Sequence, residues 1–131
     1  MIYLDTSVAL AHLLAEDHAP PDELWQETLV SSRLLQYELW TRLHARRLAV
    51  SHGDAARSLT ERIAFLELTP PVLARALEPF PVAVRPLDAL HLASIEFLRE
   101  RRQRVELATY DRRLRDAAIA LGILIHAELH G

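Results

Sequence analysis

Short apolar segments alternate with helical ones along this chain, and that alternation constrains its fold more than any other feature. Residues 2–5, 28–31, 105–109 and 123–126 read as strands, and 65–68 fits a short strand or the end of the preceding helix. Between them lie helical stretches at 7–15, 21–26, 32–47, 51–64, 71–77, 86–101 and 112–121, the last ended by Gly122. The 32–47 stretch is the clearest, with Leu35, Leu39 and Leu43 at i, i+4 and i+8. Strands that alternate with helices through short loops form a parallel sheet covered on both faces. The expected fold is therefore α/β, a three-layer α/β/α sandwich with a mostly parallel central sheet. The chain of 131 residues is long enough for one such domain, spanning 1–131.

Composition narrows the chemistry. There is no Cys, which excludes disulfides, a thiolate metal site and a cysteine nucleophile, and fits a reducing cytoplasm. All fifteen basic residues are Arg, so no mechanism that needs a lysine is open to this chain. A net charge of -3 gives no general attraction to nucleic acid, and any such binding must come from a local patch. The N-terminus lacks the basic start of a signal peptide, and the apolar runs fall far short of the roughly 18 residues a membrane span needs. A soluble, cytoplasmic protein is expected.

Four acids stand where an ordinary surface acid would not. Asp5 ends the first strand, and Asp111 follows the strand of "VELATY" in the same way. Each either caps the next helix or belongs to a charged site. Asp88 opens the helix "PLDALHLASIEFL", apolar nearly all round, close to Pro86 at its first turn. Glu38 lies at the margin of its helix's apolar stripe, about 60° from Leu35 at 100° per residue. Arg42, four residues on, offers it an ordinary ion pair. If the first and fourth strands are neighbours, Asp5 and Asp111 meet at one sheet edge with Asp88 beside them. Carboxylates gathered in one place repel one another unless a cation neutralises them. Oxygen-only ligation points to a hard divalent ion, Mg²⁺ or Mn²⁺, of the kind that activates water and stabilises charge on phosphate.

The segments "IYLDTSVAL", "LLQYELWTRL" with Glu38, "RPLDALHLA" and "LATYDRRLRDAAIALGI" resemble, in order, the motifs of the PIN domain. Within that family they are most similar to the VapC-type toxins of prokaryotic toxin–antitoxin pairs, from Ile2 to about Ile123. The resemblance implies an Mg²⁺- or Mn²⁺-dependent endoribonuclease whose acids carry over as Asp5, Glu38, Asp88 and Asp111. Asp5, Asp88 and Asp111 then hold the metal directly or through water, and Glu38 helps bind it or orients the attacking water. Thr6, Ser7 and Thr109 orient the carboxylates. A homodimer and a small cognate antitoxin are also implied.

RNA contact requires cations. Arg42, Arg46 and Arg47 follow Glu38, and Arg112, Arg113 and Arg115 follow Asp111. Each is either a phosphate ligand or part of a solvated face. Asp116 reads as a surface ion-pair partner of those last arginines, and His91, one turn from Asp88, as a hydrogen-bonded core histidine. Trp25 and Trp40 read as core or antitoxin-facing. The competing reading of the whole chain is an RNA- or protein-binding module without turnover, or a housekeeping nuclease that has no antitoxin. A phospho-receiver domain is excluded by the missing lysine, and a dehalogenase-like phosphatase by Thr6-Ser7 where a D-x-D motif would stand.

Overall fold

In the computed structural model, residues 1–15 and 19–130 are described. The strands are β1 (Ile2–Leu4), β2 (Leu29–Ser32), β3 (Ala64–Leu66), β4 (Glu106–Ala108) and β5 (Leu124–Ile125). The α-helices are α1 (Thr6–Leu13), α2 (Leu34–Ala45), α3 (Ala49–Thr60), α4 (Pro70–Ala76), α5 (Pro86–Glu100) and α6 (Arg112–Ala120). A 3-10 turn at Asp22–Gln26 precedes β2. The ambiguous segment after α3 is thus a strand. It is short and only half covered, which is why periodicity alone left it open.

The strands form one sheet in the order β3-β2-β1-β4-β5, and every neighbouring pair is parallel. Tyr3 stands between Val30 on one side and Leu107 on the other. Alternation along the strands sends successive side chains to opposite faces. Ile2, Leu4 and Leu29 join a core with Val8, Leu35, Leu39, Leu43 and Leu59 from α1, α2 and α3. Tyr3, Val30 and Leu107 join a second core with Leu92, Ile95, Leu98, Leu114 and Ala118 from α5 and α6. Because both faces are covered, the sheet is the middle layer of an α/β/α sandwich. Gly122, at φ 75°, lets the chain leave α6 in a left-handed turn before β5.

The strand order also fixes where a ligand can bind. From β1 the chain moves outward to β2 and β3, then returns to place β4 on the other side of β1. That reversal opens a crevice beyond the carboxyl ends of β1 and β4, the usual binding place in open parallel sheets. Asp5 and Asp111 follow those two strands. No helix among the described residues is long and apolar enough to cross a membrane.

Candidate functional site

At the carboxyl end of β1, the Asp5 backbone N–H donates to Ala108 O (3.0 Å), tying the strand exit to β4. The Asp5 carboxylate caps α1. Its Oδ2 accepts from the Ser7 hydroxyl (2.6 Å), the Thr109 hydroxyl (2.8 Å) and, more distantly, the Ser7 N–H (3.4 Å). Ser7 Oγ accepts in turn from the Tyr110 N–H and Thr109 Oγ1 from the Asp111 N–H, both at 2.9 Å. Three hydroxyl and carboxylate groups thus lock two loops from distant parts of the sequence into one edge. Asp111 caps α6 through Oδ1, which accepts from the N–H groups of Arg113 (2.9 Å) and Leu114 (3.2 Å). Capping and membership of a charged cluster coexist because each uses a different oxygen.

Glu38 reaches the same edge from α2. Its Oε1 accepts from Thr6 Oγ1 (3.0 Å) and from His91 Nε2 (2.6 Å) on α5. Its charged partner is therefore His91 and not Arg42. His91 Nδ1 lies 2.7 Å from the hydroxyl of Tyr3, which also accepts from the Ser32 N–H (3.1 Å). Burial opposes a proton on both ring nitrogens, but Tyr3, Glu38 and Asp5 outweigh it and push the His91 pKa well above the ordinary value. In the neutral ring Tyr3 donates to Nδ1, and in the cation the roles reverse. In either state Nε2–H donates to Glu38, so the carboxylate is held in one orientation.

Asp88, the third residue of α5, is buried, and Asp111 faces it across the cleft. Arg85 bridges them: Nε donates to Asp88 Oδ2 at 2.6 Å and an NH2 group donates to Asp111 Oδ2 at 2.5 Å. For Asp88, burial is the largest influence and leaves its pKa above the usual carboxylate value despite Arg85. For Asp111, burial also pushes upward, but Arg85 and the capping N–H groups prevail and hold it below that value. Arg85 is raised by its bonds to both acids and is permanently charged.

Asp5, Glu38, Arg85, Asp88 and Asp111 line one open cleft of about 720 Å³, with Arg42 and Arg46 also on its wall, whereas His91, Tyr3 and Thr109 stand behind it. Arg113 lies in an adjoining cleft with Asp116, sharing Arg85 and Asp88 with the first. Arg112 and Arg47 are exposed and line neither. Asp116 is exposed and has no ion pair among the described residues. Trp25 and Trp40 pack against the core that contains α1 to α3. Arg85 and Tyr3 were not singled out by sequence reasoning. For Arg85 a signal existed: a cation three residues before the buried acid of a helix start.

The donor chemistry fits a hard divalent ion. Asp5 Oδ1, Glu38 Oε2 and Asp88 Oδ1 have no hydrogen-bond donor among the described residues, while their partner oxygens are engaged. Yet no three Asp, Glu or His side chains of the described residues are drawn together closely enough to enclose an ion as they stand. The oxygens are present, and their partner oxygens are held by neighbours.

A five-stranded parallel sheet, helices on both faces and an acidic cleft at the switch between β1 and β4 define an α/β protein with a carboxylate-lined site. A family model described as the PIN domain matches residues 2–120. The chain belongs to the PIN domain family. It is 31% identical to Ribonuclease VapC47 of Mycobacterium tuberculosis (strain CDC 1551 / Oshkosh) over 131 residues, covering 95% of this chain and 94% of that protein. It is also 32% identical to Ribonuclease VapC35 of the same strain (97% and 96% covered) and to Ribonuclease VapC46 of strain ATCC 25618 / H37Rv (96% of each).

Proposed function

We propose that this protein is a divalent-metal-dependent endoribonuclease that serves as the toxin of a toxin–antitoxin pair, in the cytoplasm. The observation that carries the reading is the set of four acids at one sheet edge, each with at least one oxygen fastened by a neighbour. Full-length similarity to proteins named as ribonucleases supports the choice of RNA. Asp5, Asp88, Asp111 and Glu38 would hold Mg²⁺ or Mn²⁺, directly or through water. Such an ion supplies a more acidic water and charge stabilisation at the phosphorus-bound oxygens.

The chain's own residues do the rest. Thr6 and His91 fix one oxygen of Glu38, which lines the cleft, so that the other helps bind the ion or orients the attacking water. Ser7 and Thr109 likewise fix one oxygen of Asp5, leaving the other for the ion. Arg42 and Arg46 stand at the rim and bind backbone phosphates. A small antitoxin that covers the acidic cleft, and a homodimer, complete the reading.

Cleavage of single-stranded RNA by wild type and Asp5→Asn, in Mg²⁺ or Mn²⁺ and in EDTA, tests it. Metal-dependent cleavage by wild type alone is expected. Equal cleavage by the variant or in EDTA would exclude a catalytic acidic cluster, and RNA binding without cleavage would leave a binding module.

A further inference from the structure

We infer that Arg85 is the resident counter-cation of the acidic cleft, and that a divalent ion must displace its guanidinium to take Asp111 as a ligand beside Asp88. The inference rests on the metal-dependent reading above. It starts from how the oxygens are distributed. Asp111 has two, and capping of α6 occupies Oδ1 with the N–H groups of Arg113 and Leu114. Only Oδ2 remains for a ligand in the cleft, and Arg85 holds it. The same guanidinium holds Asp88 Oδ2. Asp5 and Glu38 differ: hydroxyl groups and an imidazole bind one oxygen of each, and the other, like Asp88 Oδ1, has no donor among the described residues.

Among the described residues Arg85 is thus the one cation that bridges two of the four acids, and it lines the same cleft. A guanidinium between two carboxylates satisfies their charge at the distance its planar fork requires, which is longer than a shared ion allows. The bridge thus sets the spacing of Asp88 and Asp111. The bridge is also displaceable. Arg85 is 42% exposed at its side chain, precedes the helix as its N-terminal boundary residue, and can swing to solvent without disturbing α5. Arg85 therefore acts as a positioning residue that keeps Asp88 and Asp111 apart until a stronger cation arrives.

The experiment is calorimetric titration of Mn²⁺ into the metal-free full chain, for wild type, Arg85→Met and Arg85→Lys, with folding checked by circular dichroism. Removing the competitor should tighten Mn²⁺ binding by about tenfold in Arg85→Met, the factor expected if the bridged arrangement outweighs the open one by about 10. Arg85→Lys, which keeps one charge but not the fork, should fall between. Equal or weaker binding by a folded Arg85→Met overturns the exchange while leaving the metal site standing. Absence of Mn²⁺ binding in wild type and variants alike overturns both. A measurement without substitution guards against misfolding: the Arg85 Nε–H resonance should shift on Mg²⁺ saturation, and an unchanged resonance would also overturn the exchange.

Discussion

Tyr3 is fully buried in the middle strand, yet its hydroxyl has a partner on each side, the Ser32 N–H and His91 Nδ1. Through the ring of His91 that chain ends on Glu38. Removing the ring leaves Tyr3 with only the Ser32 N–H and Glu38 with only Thr6, and if Glu38 serves the proposed site, losing a support behind such a carboxylate typically lowers activity about 10–100-fold. His91→Leu is therefore expected to reduce RNA cleavage by that order, and His91→Gln, whose amide can still donate to Glu38, to recover part of it. If both variants are folded and cleave like wild type, His91 is only a packing residue. None of this was legible locally. The helical position of His91 marked it as buried and hydrogen-bonded, but its partners come from 88 and 53 residues away.

At the scale of elements, Asp111 separates two roles within one side chain. Asp111→Ala removes the cap of α6 and should cost about 1 kcal/mol, whereas Asp111→Asn keeps a capping oxygen and loses only the charge facing Arg85. The pH dependence has a definite sign. Burial raises the Asp111 pKa, but Arg85 and the backbone N–H groups overcome it and leave the folded value below the unfolded one. The ionised group thus stabilises the fold above the ordinary carboxylate range and loses that contribution as pH falls through its lowered pKa. The stability gap between wild type and Asp111→Asn, measured by urea unfolding, should narrow as pH drops below about 4. A gap that widened would mean that Asp111 is not held ionised by Arg85. The capping of α1 and α6 was readable as one alternative in "LDTS" and "TYD", because a cap is a contact within three residues. Which oxygen each cap uses was not.

For the whole molecule, a single sheet separates two apolar cores, and Trp25 and Trp40 both pack against the core on the α1 to α3 side. We propose that the 131 residues unfold as one domain. Tryptophan fluorescence, reporting one layer, and far-ultraviolet circular dichroism, reporting all helices, should then give coincident thermal transitions. Two separated midpoints would show that the layers melt independently.

Much of this architecture follows from sequence because its causes are local. Apolar runs of three to five residues set against helix-length amphipathic stretches dictate parallel β–α units. The runs that stop at Asp5 and Asp111 mark where the chain leaves the sheet. The order β3-β2-β1-β4-β5 turned two similar strand ends into one site, by placing β4 beside β1. Only tertiary structure could decide that Glu38 pairs with His91 in place of Arg42, and that Arg85 stands between Asp88 and Asp111. Those choices depend on distances between elements far apart in sequence. Packing of α2 and α5 on opposite faces of the sheet sets them, and no spacing along the chain encodes them.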